Sequence, residues 1–509
     1  MALKHKSGFV FTLLTLILFI LMLAEIVTYA YLNLNYNSMI EMQSGSSLVP
    51  QLLQSISASM NAFIKNALPN AVNSYVPPHT LLDYPLNNTA ARQISLIISS
   101  NLGSFTSYLS NEAKAEGATL NFKNQTIMVF QSNPFFINAT YSAVLILNSS
   151  YGSYVYPVSA STSMALPLAF LNITINNGQS TPTPAPFQQS ITFNPSSYSA
   201  YESGNLGNIR FYYGNNELYS WCESGCTNTS SSATFWINLP QGVPASSAIN
   251  ITMAFYRIGI NYSSYSGKPI ALDHAGEAPQ LSYTYGKFDN GAEVFNFYDN
   301  FAGTALNTNK WSVVGSGGTI NNGLSIAMSG GSAGDYVIYS TSTFAPNVIA
   351  ETLFSTSAFA VNIRTYNPTL STSNTQKNPA GDAASSPVID WSINSANSGY
   401  WNAQQGSSSA YFASSTNNAN PASNWLLGVG YTGSTNYWYG FSGSTPSNYS
   451  KYTSSSTDSP TGNLYLGLGA AWSSLSRSIT ETYTWVRVRA YPPNGVMPTA
   501  SIGNLNIVK

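Results

Sequence analysis

Residues 297–311 read FYDNFAGTALNTNKW and set one acid, Asp299, among Phe297, Tyr298, Asn300 and Phe301. The chain around this stretch is bland and rich in Ser, Thr and Asn. Such an acid can be the reactive group of a catalytic or metal-binding loop, or the acceptor that ties down the corner of a β-sheet. Side chains of an extended strand alternate between faces, so Phe297 and Phe301 fall on one face. Gly303 then allows a turn, and Trp311 starts the next strand. The stretch reads as an entry strand and first turn, with Asp299 as a turn or capping acceptor.

The surrounding sequence has the same character. ITF (191–193), NIRFYY (208–213), ATFWINL (233–239) and INITMAFY (249–256) are short alternating apolar runs between Gly, Ser and Asn. DYVIYS (335–340), VIAETLF (348–354), VIDWSI (388–393), NLYLGLG (463–469) and YTWVRVRAY (483–491) continue the pattern. Many short strands with frequent turn signals predict a β-sandwich or jelly roll.

Upstream the period differs. Leu48, Leu52, Leu53, Ile56, Met60, Phe63 and Ile64 recur at helical spacing that should end before Pro69. A second stripe runs through Ile94, Ile97, Ile98, Leu102, Phe105 and Leu109. TIMVF (126–130), YSAVLIL (141–147) and AFLNITI (169–175) then read as strands. NNGQSTPTPAPFQQ (176–189) reads as an extended linker. The expected order is a tip and anchor (1–34), a membrane-proximal α+β domain (35–176), a Pro/Thr linker (177–188), a β module (189–288) and a jelly roll (289–509). The fold class is mainly β, with an N-terminal transmembrane helix and a small α+β domain.

Residues 8–24 carry no charge, Glu25 follows, and Ile26–Leu32 resume the apolar run. That is enough to span a bilayer as a helix, which takes about 20 residues. Lys4 and Lys6 precede it, which places the N-terminus in the cytoplasm and the bulk outside. A signal cleaved near Thr28-Tyr29-Ala30 is one rival. Another is that Lys6-Ser7-Gly8-Phe9 resembles the class III, type IV pilin-like leader of archaea, although Ser7 separates Lys6 from Gly8.

Net charge is −1 and only 7% of the 509 residues are charged, against about 25% in ordinary globular chains. Without a basic patch, nucleic-acid binding is not expected. Nine Asn-x-Ser/Thr sequons, at Asn87, Asn124, Asn138, Asn148, Asn172, Asn228, Asn250, Asn261 and Asn448, all follow the apolar segment, as in an exported glycoprotein. Cys222 and Cys226 have only His5, His79 and His274 as further soft ligands, so a small disulfide is expected, with two free thiols as the alternative.

Two sets of motifs carry a family resemblance. Asn208-Ile209-Arg210-Phe211, Leu218-Tyr219-Ser220-Trp221, Trp236-Ile237-Asn238-Leu239-Pro240 and Ile249–Tyr256 resemble, in order, the exported-protein family called domain of unknown function 2341. Asn208 stands where that family usually has Asp, Cys222 replaces an apolar residue, and the opening Trp-x-Tyr-Arg is reduced to Phe187-Gln188-Gln189. Val294–Trp311 and Trp485–Tyr491 resemble the opening and closing of the concanavalin A-like lectin/glucanase jelly roll that commonly follows it. The resemblance covers roughly 187–509 and implies fold more than activity.

Glucanases on that roll place their acids on one strand as Glu-x-Asp-x-x-Glu, because retaining hydrolysis needs two carboxyls about 5–5.5 Å apart. No two of Asp289, Glu293, Asp299, Asp335, Glu351, Asp382, Asp390, Asp458 and Glu481 lie two residues apart, so a non-enzyme is expected. His274, in an irregular stretch, reads as a surface loop residue rather than part of a hydrolase triad. Sugar binding would use stacking aromatics, with Trp401, Trp425, Trp438, Tyr437 and Tyr439 as candidates. A calcium ion would need oxygens from Asp299, Asn300 and Asn307, two of them amides, which weakens the site; otherwise no cofactor is expected. The reading is a membrane-anchored archaeal surface glycoprotein for adhesion, glycan binding or envelope structure, with glycans or other envelope proteins as partners. The alternatives are a self-assembling pilin-like subunit and an exported carbohydrate-active enzyme.

Overall fold

A computed structural model describes residues 48–75, 86–149, 152–258, 274–331, 333–357, 363–371, 388–394, 400–405, 408–410, 424–433, 436–442, 452–454, 462–472, 475 and 478–507. The expected anchor, Asn261 and Asn448 lie outside them. Among the described residues no helix is long and apolar enough to cross a membrane. The chain divides into two compact units, residues 1–166 and 167–509.

In the first unit, the helices Leu48–Tyr75 and Asn88–Ala115 cover one face of a three-stranded antiparallel sheet. Ile56, Met60, Ile64, Ile94 and Ile98 meet Ile137, Ala139, Tyr141 and Leu145 in its core. The first helix does not stop before Pro69 but runs on to Tyr75. Leu68, Ala71 and Val72 are buried. Their packing outweighs the roughly 3 kcal/mol a helix-interior Pro costs. Asn87 caps the second helix by accepting from Ala90 N–H at 2.8 Å. The third strand, Gly152–Ala165, carries Pro157 and is an edge strand, where a missing N–H is tolerated.

The second unit corrects two expected boundaries. Ala169–Asn177 does not close the first domain; it pairs with Ser247–Phe255 on one side and Thr499–Ile502 on the other. Nor is 177–188 a free linker. Asn177 is fully buried and its Nδ2 donates to the carbonyls of Thr181 and Pro244, at 2.9 and 3.0 Å. Phe187 already begins a strand. The unit is built of four sheets in layers. A six-stranded sheet holds Ala169–Asn177, Ile209–Tyr213 and Ser247–Phe255; a four-stranded sheet holds Phe187–Phe193, Ser220–Ser224, Ala233–Leu239 and Ala275–Glu277. An eight-stranded sheet includes Val348–Thr356, Trp425–Tyr431 and Ile479–Ala490; a seven-stranded sheet includes Gly334–Phe344, Ile363–Ser371 and Leu464–Trp472.

Three cores join these layers. Leu171, Ile173, Phe211, Phe235, Ile237 and Met253 fill the space between the first and second. Trp221, Trp236, Ile349, Leu353 and Trp485 lie between the second and third. Trp311, Ile338, Leu427, Val429, Leu466, Leu468 and Val488 fill the jelly-roll core between the third and fourth. Cys222 and Cys226 are joined by a disulfide at the end of Ser220–Ser224.

Candidate functional site

The quoted stretch sits at the entry to the roll. Phe297–Asp299 pairs with Val486–Val488, and both Phe297 and Phe301 pack on the roll core. Asp299 is buried: its Oδ1 accepts from Phe301 N–H at 2.9 Å and its Oδ2 from the Trp311 indole at 2.6 Å. It therefore holds a turn whose Phe301 has φ +50°. Asn300 faces another acid, donating to Asp289 at 2.7 Å, while Asn307 accepts from Asn309 N–H at 3.1 Å. The oxygens expected to hold calcium thus serve separate turns. Among the described residues no three His, Cys, Asp or Glu converge as metal ligands.

Asp289, to which sequence reading gave no role, is the hub of this corner. It accepts from Trp221 Nε1 at 2.8 Å, Tyr298 OH at 2.6 Å, Asn300 Nδ2 at 2.7 Å and Gly291 N–H at 2.9 Å. Burial pushes its carboxyl up to about 6, and the four hydrogen bonds oppose that rise. His274 is half-buried and stacks on Tyr219 with ring centroids 4.3 Å apart.

Carboxylates on the outer face of the third layer do not line a groove, because the second layer covers that face. Glu351 Oε1 accepts from Arg489 Nη2 at 2.9 Å, and its Oε2 from Arg489 Nε at 3.0 Å and from Arg487 Nε. Arg487 reaches across to Glu223 of the second layer at 3.0 Å. Its guanidinium lies 4.6 Å from the Trp236 ring, 4.7 Å from Trp485, 4.8 Å from Phe295 and 5.6 Å from Trp221. Glu223 also accepts from Trp236 Nε1 at 2.8 Å; burial raises its carboxyl while Arg487 and that bond pull it back. The arrangement neutralises both acids and leaves neither open to a substrate. Glu481 turns into the roll core beside Tyr483, whose hydroxyl donates to it at 3.2 Å, and burial pushes its carboxyl up to about 8.

Among the described residues, no further sheet lies on the outer face of the fourth layer. A register row crosses it from Ser312 through Tyr339, Gly467, Thr369, Asp390 and Gln404 to Ser409. The row holds hydroxyl, carboxylate and amide positions and one glycine, Gly467. A Cβ on Gly467 would come within 2.8 Å of the Tyr339 ring, so only glycine lets that ring lie on the strand. Tyr339 and Thr369 are themselves buried.

Of the tryptophans expected to stack on sugars, only Trp425 has a described side chain. Trp425 is buried in the roll core, where no sugar face can reach it, and that expectation is corrected. Trp438 pairs with Val429 and Trp401 with Ile393 along the backbone, and the side chains of both lie outside what the structure describes. Tyr437 and Tyr439 pair with Gly430 and Gly428 along the backbone. Sequence showed the aromatic runs, but face assignment needed the strand register. Asn87, Asn124, Asn148, Asn172 and Asn250 are exposed, and Asn138 and Asn228 are partly so.

No family model matches the chain. It is 35% identical over 179 residues to uncharacterized protein 562 of Sulfolobus islandicus rod-shaped virus 1. The match spans 35% of this chain and 28% of that protein, so little more than a quarter of the relative is represented. Among solved structures, the Pyrococcus furiosus endo-β-1,3-glucanase aligns at 11% identity and TM-score 0.30, over 39% of this chain and 94% of its own. The Bacillus licheniformis β-glucanase aligns at 13% identity and TM-score 0.29, over 38% and 97%. At such scores the assignment to a β-sandwich rests on the strand order and layer packing described above.

Proposed function

We propose that this chain is a surface-display protein whose four-layer β unit is a non-catalytic module, held at a membrane by the N-terminal apolar segment. Its role is adhesion, glycan binding or envelope structure. One observation carries the non-catalytic reading: Glu351, on the outer face of the third layer, is closed between Arg487 and Arg489 beneath the second layer. A retaining glycosidase needs an open pair of carboxyls, one ionised and one protonated. The resemblance of 187–509 to domain of unknown function 2341 and its following roll belongs to the same reading. Binding, in this proposal, uses the outer face of the fourth layer, where Asp390, Gln404 and Ser409 share a row.

The test pairs a polysaccharide hydrolysis assay with a glycan array, both on the full chain. Binding without turnover, lost in Asp390→Ala and Gln404→Ala, is the expected result. Release of reducing sugar, abolished by Glu351→Gln, would overturn it.

A further inference from the structure

Three of the nine sequons carry Phe two residues before the Asn: Phe122 before Asn124, Phe136 before Asn138 and Phe170 before Asn172. Phe is only 24 of 509 residues, so nine positions would carry fewer than one by chance. On a regular strand, residues two apart share a face, so Phe, Asn and Thr of such a motif form one row. The sequence makes the three look alike; the backbone separates them.

Phe136, Asn138 and Thr140 lie in Phe136–Ser149, on the face turned away from the helices, since Ile137, Ala139 and Tyr141 take the core. Phe136 is 38% exposed, and Phe130, 44% exposed, is the direct cross-strand partner of Asn138. Met128, 64% exposed, pairs with Thr140. Asn138 is thus a polar group among exposed apolar side chains; it donates to Ser132 at 3.1 Å and accepts from Ser163. Phe170, Asn172 and Thr174 likewise share the outer face of Ala169–Asn177, since Leu171, Ile173 and Ile175 take the core. Asn172 is exposed and Phe170 half-buried. At Asn124, in contrast, the strand bulges between Lys123 and Thr126, Asn124 has φ +53°, and Phe122 packs toward the helices.

We infer that Asn138 and Asn172 carry N-linked glycans whose first sugar lies on the ring of Phe136 and Phe170. Phe130 flanks the sugar at Asn138. The C–H face of a pyranose meets the negative face of a phenyl ring favourably and covers apolar surface otherwise left in water. The donor is a phosphate-activated oligosaccharide supplied by the exporting cell. Asn Nδ2 bonds to the anomeric carbon, the carbon–oxygen bond to the phosphate breaks with its electron pair, and the Nδ2 proton leaves. This inference rests on the reading of the chain as exported.

The full chain, exported from cells that N-glycosylate, is digested and its site occupancies measured by glycopeptide mass spectrometry, while protease shaving of intact cells reports display. Phe136→Ala and Phe170→Ala should each lower occupancy at their own Asn roughly threefold or more, as a lost ring–sugar contact implies. Trp at either position should restore it. Phe122→Ala should leave Asn124 unchanged, and Asn250, preceded by Ala248, serves as control in every sample. Occupancy at Asn138 and Asn172 that ignores the Phe changes, or empty sites on a displayed chain, overturns the inference alone. A chain never reached by the external protease overturns the display reading and the inference with it.

Discussion

The β unit has two kinds of interior around one shared sheet. Between the third and fourth layers, Ile338, Leu427, Val429, Leu466 and Leu468 make an apolar core, with Glu481 turned into it. Between the second and third layers, Trp221, Trp236 and Trp485 surround Arg487, which bridges Glu223 and Glu351. Val348–Thr356 shows how one strand serves both: Val348, Ala350 and Phe354 face the apolar core, while Ile349, Glu351 and Leu353 face the ionic one. The first interior is held by area removed from water, which is non-directional. The second depends on a small set of charges whose partners are all needed, because an ion left alone in a low dielectric is costly. A roll that would otherwise present an open face is thereby fastened to its neighbour.

The largest effect is expected of Arg487→Ala, which leaves Glu223 and Glu351 facing each other with less compensation. A loss of about 3–5 kcal/mol in denaturant unfolding is expected. Replacing Arg487, Glu223 and Glu351 together by Met or Leu should cost far less, since no buried charge is stranded. If the single and triple variants lose stability equally, the ionic interior has been misread. Leu427→Ala in the apolar core should cost about 3 kcal/mol, set by the transferred methyls and the cavity left behind. Changing both Cys222 and Cys226 to Ser opens a loop of only a few residues. A loss of about 2 kcal/mol in the same assay is expected.

The apolar interior also carries a dependence on pH. Glu481 is raised from its ordinary 4.5 to about 8 by burial, against which the Tyr483 hydrogen bond pulls. The folded state therefore holds this proton more tightly than the unfolded chain does. The stabilisation is fully present below about 4.5 and fades as pH climbs through 8. Unfolding curves from pH 5 to 9 should show the decline, and Glu481→Gln should reduce it, leaving the part due to Glu202, which burial also raises to about 8. A decline unchanged in that variant would assign it to other acids.

Much of the fold was legible in the sequence. ATFWINL matches the strand Ala233–Leu239, and VIAETLF and YTWVRVRAY fall on the two central strands of the third layer. Asp299 in FYDNFAGTALNTNKW was legible as a turn acceptor, because a short acid followed by a tight turn has few other uses. Partners distant in the chain were not legible. Ala169–Asn177 looks like the end of one domain, yet it pairs with Thr499–Ile502 more than 300 residues on. Trp425 looked like a ligand platform and is core, since an aromatic run gives its period but not which face is covered.

Composition, alternation and turn chemistry alone determined a mainly β chain with few charges, a sandwich beginning near residue 297 and sequons along its length. These are local properties, written in residues a few positions apart. The tertiary structure decided which face of each strand is sealed: that Arg487 meets Glu223, that Asp289 gathers Trp221, Tyr298 and Asn300, and that Phe130 stands beside Asn138. Those pairings join segments far apart in the chain, and their energies depend on what water can still reach, which no window of sequence contains.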